Sequence, residues 1–144
     1  MADEPDAIFV NIAGKMCFRD LLRDSGWSLN GPWERAAFVI QQSDGSIACQ
    51  CWPSRHSYLA ESFNGLIPEN TIAIVHTHPV DFPKPSQKDK DEATRLGIPI
   101  YVLTIRGVYK AVPGVRNTAT VLEHQAWYRQ VPNKAPSGLA SVSP

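Results

Sequence analysis

Long apolar runs are missing from this 144-residue chain: none approaches the roughly 20 consecutive apolar residues that a membrane-spanning helix needs. The first ten residues are acidic and lack both a basic start and an extended apolar stretch, so no signal peptide is expected. Cysteine is scarce. Cys17, Cys49 and Cys51 make an odd number and form no pair of C-x-x-C clusters. A disulfide framework is therefore not expected, and half-buried thiols in a reducing compartment, the cytoplasm, are the simpler reading. Net charge is absent too: 14 basic residues balance 14 acidic ones, leaving no overall field toward nucleic acid or an acidic membrane surface. The helical H-E-x-x-H motif of zincins does not occur, nor does the H-x-E plus P-C-x-x-C pattern of base deaminases.

What remains is the composition of a globular protein, with 43% apolar residues. The length suits one domain able to bury a core without staples. We expect that domain over residues 1–130 and a loose Pro-, Ser-, Gly- and Ala-containing tail over 131–144. Val10, Ala13, Cys17 and Leu21 recur at helical spacing within a helix from about Ala7 to Arg23. Ala36–Gln42 and Ile47–Trp52 read as two strands joined at Ser43-Asp44-Gly45-Ser46, a hairpin signal. A short helix is expected over Ser54–Phe63. Thr71–His78 is a β-branched strand, followed by a loop with Pro79, Pro83 and Pro85. Ser86 then opens a polar helix that stops at Gly97. Ile98–Thr104 and Val108–Val112 read as strands, and Thr120–Gln130 as a final helix. Mixed helices and hairpins indicate an α/β or α+β sandwich.

The chemistry concentrates in one segment. His76 and His78 lie two apart in a strand, so their rings project from one face. Ile72 and Ile74 precede them on that stripe, and Pro79 ends the strand. Two imidazoles at a strand end can share a metal ion, and a catalytic zinc takes three protein ligands plus water. Asp89, in the first turn of the next helix, is the best third ligand; Asp91 is rotated about 200° around the helix from it. Each half of the pattern has a bland explanation. Paired histidines can be structural, and Ser86-x-x-Asp89 resembles a capping box with Asp in place of Glu or Gln. Among the tryptophans, Trp27 and Trp127 read as core or cover, while Trp33 and Trp52 are placed where they could line a cleft. His56 and His124 have no partners at ligand spacing. Phe82 sits in the proline-rich loop. Lys84, Lys88, Asp81 and Asp91 read as solvated charges.

Taken together, His76-Thr77-His78-Pro79, six residues, Ser86, two residues and Asp89 resemble the H-x-H-P-x6-S-x-x-D signature of the JAMM/MPN+ metalloprotease domains. The resemblance follows the order of elements from about Pro32 to Pro113. It implies a three-layer, cytidine-deaminase-like arrangement with a mixed sheet flanked by helices. It also implies one zinc ion per chain held by His76, His78 and Asp89, with Ser86 as an oxyanion donor. The family's upstream glutamate falls on Glu34, with Glu61 and Glu69 as alternatives; the glycine usual shortly after it is replaced by Ala36 and Ala37. The implied activity is zinc-dependent hydrolysis of a peptide or isopeptide bond, in a ubiquitin-like conjugate or another protein substrate. A non-catalytic MPN-type scaffold or interaction module is the alternative, although such members generally lose ligand positions. The brevity of the chain and the run Gly97-Ile98-Pro99-Ile100-Tyr101-Val102 resemble compact bacterial stand-alone forms. No nucleic-acid or membrane partner is implied, and nothing in the pattern specifies an oligomer.

Overall fold

The computed structural model describes residues 6–24, 35–52, 67–78, 85–124 and 126–131. Its centre is a six-stranded mixed sheet. The strands are β1 (Ala36–Gln41), β2 (Ile47–Cys51), β3 (Thr71–Thr77), β4 (Ile100–Thr104), β5 (Gly107–Ala111) and β6 (Ala119–Glu123). They lie in the order β2-β1-β3-β4-β5-β6. Every neighbouring pair is antiparallel except β3 and β4. A parallel pair needs a crossover, and here the crossover carries helix α3 (Gln87–Leu96).

Period-two alternation sends the apolar side chains to both faces of the sheet. Ala37, Val39, Ala73, Val75, Tyr101 and Leu103 meet Phe9, Phe18 and Leu22 on one side. Those partners come from helices α1 (Ala7–Val10) and α2 (Ile12–Asp24). Phe18 and Leu22 are at most 1% exposed, and burying a side chain of that size contributes about 1.5–3 kcal/mol. Phe38, Ile74 and Ile100 face the opposite way and pack with Ala93 and Leu96 of α3. The result is three layers: α1 and α2, the sheet, then α3. No helix among the described residues is long and apolar enough to cross a membrane.

Several expectations need correction. The helix expected over Ala7–Arg23 is two helices. Asn11 leaves the helical region at ψ 130°, and its Oδ1 accepts the Gly14 N–H at 3.1 Å. Gly14 suits this corner because a Cβ there would lie 2.3 Å from the Ile8 carbonyl oxygen. The helix expected over Thr120–Gln130 is mostly strand: β6 pairs with β5 through Val108–Leu122 and Tyr109–Thr120. The chain then turns at Ala126 (φ 61°) into a 3₁₀ turn, Trp127–Gln130. There the Trp127 indole N–H donates to the Thr104 carbonyl at 2.7 Å. That buried bond requires the chain to fold back rather than continue a helix. Ile72 leaves the His76 stripe and packs on the α2 side, because the β1–β3 register slips where Val39 faces Ala73 and Ile40 faces Thr71.

The cysteine expectation of half-buried thiols also fails. Cys17 on α2 and Cys49 on β2 form a disulfide, with their Cα atoms 6.3 Å apart. Both half-buried side chains pack against the same core. Cys51 lies outside that disulfide and is exposed. The helix expected over Ser54–Phe63, the tail beyond residue 131, and Trp27, Trp33, His56 and Phe82 lie outside the described residues.

Candidate metal centre

Three side chains converge at the C-terminal end of β3. This strand is central, with β1 on one side and β4 on the other, so its end is fixed from both directions. His76 lies opposite Ala36 of β1 and Val102 of β4. One step past the strand, the His78 N–H still donates to the Leu103 carbonyl at 3.0 Å. Between the histidines, Thr77 points the other way and is 2% exposed. Its hydroxyl oxygen accepts the Arg35 N–H at 2.9 Å, and its own N–H donates to the Arg35 carbonyl. Thr77 therefore pins the entry of β1 to the strand end that carries both imidazoles. The sequence reading did not single it out. Its signal was a polar β-branched residue inside an otherwise apolar strand.

Asp89 arrives from α3. Ser86 caps that helix and forms a reciprocal capping box with Asp89. The Asp89 N–H donates to Ser86 Oγ at 3.2 Å. In return, Asp89 Oδ2 accepts the Ser86 N–H at 2.8 Å and the Ser86 hydroxyl at 3.0 Å. The capping reading of Ser-x-x-Asp therefore holds, and the same box aims the Asp89 carboxylate. At the third helical position, the carboxylate also sits in the favourable field of the helix N-terminus. Gly97 closes α3 at φ 73°, where a residue without Cβ carries no strain.

The geometry of the cluster is tight. Asp89 Oδ1 lies 2.8 Å from His76 Nε2, and Asp89 Oδ2 lies 3.3 Å from His78 Nε2. The imidazoles meet edge to face, with centroids 4.6 Å apart. His76 is buried against the carboxylate. One ligand atom from each residue lies within 4.8 Å of the others, so a single metal ion could touch all three. Burial works to raise the Asp89 pKa. The charge and polar contact of His76, the contact of His78 and the Ser86 backbone N–H outweigh it and hold the carboxyl well below its ordinary range. Asp89 is thus an anion at neutral pH, as a ligand must be.

Of the other candidates, Asp91 is exposed and accepts the Gln87 amide at 3.0 Å, away from the cluster. Glu69 lies in an exposed turn, and His124 is exposed. Glu34 and Glu61 are outside the described residues, although Arg35, the next residue after Glu34, is the one bound to Thr77. Trp52 lines a cavity that reaches His76 and Asp89, as its place at the end of a strand suggested. The chain matches no family model, no curated protein and no solved structure.

Proposed function

We propose that this protein is a zinc-dependent peptidase or isopeptidase of the JAMM/MPN+ kind. The observation that carries the reading is the convergence of His76, His78 and Asp89. Two neutral imidazoles and one carboxylate are the donor set of a three-ligand catalytic zinc site. Bonds of about 2.0–2.2 Å at tetrahedral angles separate ligand atoms by about 3.3–3.6 Å. Each imidazole faces its own carboxylate oxygen, His76 at 2.8 Å from Oδ1 and His78 at 3.3 Å from Oδ2, and one donor atom from each of the three residues lies within 4.8 Å of the others.

When bound, zinc supplies a water acidified to a pKa near 7 and a Lewis acid for the scissile carbonyl. The remaining work belongs to the chain. Glu34, assigned from the sequence, would serve as the general base toward that water and the proton donor to the leaving amine. At rest, the Ser86 hydroxyl donates to Asp89 and orients that ligand. Ser86 is exposed, so its hydroxyl can rotate toward the developing oxyanion, where one donor is typically worth about 3 kcal/mol. The reaction is amide hydrolysis of a peptide or of an isopeptide linkage to lysine.

The test is Glu34→Gln. It should bind one equivalent of zinc like the parent and lose turnover on peptide or isopeptide substrates. Turnover at the parent rate would remove Glu34 from the mechanism. A parent protein that takes up no zinc would remove the hydrolase reading altogether.

A further inference from the structure

A cavity of about 30 Å³ runs inward from the ligand cluster between α3 and the sheet. His76, Asp89, Lys88 and Glu92 belong to its wall, and the rest is apolar, chiefly Ala36, Ile74, Ile100, Leu96 and Trp52. The register orders these residues in depth. Ala36 faces His76 across the β1–β3 ladder, and Ile74, one side chain further back on the same strand face, is opposite Ile100. On the helical wall, Asp89 and Leu96 are seven residues apart, about 10 Å along the axis. The slot therefore begins at the ligands and becomes apolar behind them. Its volume accommodates two or three water-sized groups at roughly 10–15 Å³ each.

From this continuity we infer that the cavity is a specificity pocket for the substrate side chain next to the scissile amide, and that it selects a small aliphatic residue of valine size. The inference rests on the metallopeptidase reading. An apolar occupant follows from the wall. A charged side chain reaching Ile74 and Ile100 would lose its water among apolar groups, and Glu92 on the wall is already paired with Arg95. The size limit follows from the volume, which is too small for an aromatic ring. The position next to the scissile bond follows from His76 and Asp89, which belong both to the ligand cluster and to the pocket wall. Ala36 sets the width of the mouth, and Leu96 sets the depth.

The test uses metal-chelating hydroxamates on the zinc-loaded protein, after one equivalent of zinc has been confirmed by elemental analysis. Two series carry Gly, Ala, Val, Phe or Lys side chains: aminoacyl hydroxamates for the acyl side of the bond and succinyl hydroxamates for the amine side. Kd is read by calorimetry. Each buried carbon is worth about fourfold, so in one series Val should bind ten- to sixtyfold more tightly than Gly, with Phe and Lys no better than Gly. Ala36→Leu should remove the Val preference while retaining zinc and the Gly compound. Leu96→Ala should shift the preference toward Phe, and needs only a folded, zinc-loaded variant. Equal affinities for Gly and Val in both series, with zinc bound, overturn the pocket and leave the metal site standing. Persistence of the Val preference in Ala36→Leu also overturns it. Absence of zinc binding overturns both readings at once.

Discussion

Replacing Ser86 by Ala separates a helix cap from a device that aims a metal ligand. The variant removes one oxygen with two partners: Ser86 Oγ accepts the Asp89 N–H at 3.2 Å and donates to Asp89 Oδ2 at 3.0 Å. The first loss is that of an N-cap, which costs about 1 kcal/mol within a range of 0.5–2. The second leaves Oδ2 with the Ser86 backbone N–H, a bond that alanine keeps. Asp89 should therefore remain an anion in roughly the same place, held less firmly. Loss of a partner that orients a metal ligand typically costs 10–100-fold in affinity, or about 1.4–2.7 kcal/mol.

Two measurements divide these effects. Urea unfolding of the metal-free protein should show Ser86→Ala less stable by about 1–2 kcal/mol. Competition with a chromophoric zinc chelator should show the affinity loss separately. Ser86→Thr, which keeps the hydroxyl and caps nearly as well, should restore both. If Ser86→Ala loses stability while its zinc affinity stays within twofold of the parent, the argument that Ser86 orients the ligand fails.

Opening the Cys17–Cys49 disulfide removes a cross-link over 32 residues. In the chain-entropy model this lowers unfolding stability by about 3–4 kcal/mol, measurable as a shift of the urea midpoint with a phosphine reductant or in Cys49→Ser. An unchanged midpoint would show that the link constrains nothing. Asp6 accepts hydrogen bonds from Lys110 Nζ at 2.8 Å, the Tyr101 hydroxyl, and the Ile8 and Phe9 N–H groups. Burial raises its pKa, but the Lys110, Phe9 and Tyr101 bonds prevail and lower it from 3.8. A lowered folded pKa means the stabilisation is complete above about pH 4 and is lost as pH falls through the folded value. Unfolding free energies at pH 6 and pH 3 should differ less in Asp6→Asn than in the parent, and an identical pH dependence would refute the assignment.

The site was legible in the sequence because its parts are local. A strand end is announced by His76-Thr77-His78-Pro79, and a helix start by Ser86-x-x-Asp89, each resting on a short-range rule of alternation or capping. The α3 boundaries followed from the same rules, with Ser86 and Gly97 at its two ends. The failures share an opposite cause. Thr120-Val121-Leu122 and the Glu123-His124-Gln125-Ala126 run that follows support different local readings. The choice is made by the free edge of β5, which pairs with residues 119–123, and by Trp127, whose indole must reach Thr104. Cys17 and Cys49 acquire their partnership only when α2 lies across β2, and an odd count of cysteines gives no hint of that. Thr77 carries both lessons. Its place between two histidines is visible in the sequence, but its role is set by Arg35, 42 residues earlier, and appears only when β1 and β3 are side by side. The donor set could thus be read from short-range pattern. The parts that hold it in place, and the cavity behind it, come from pairing at long range.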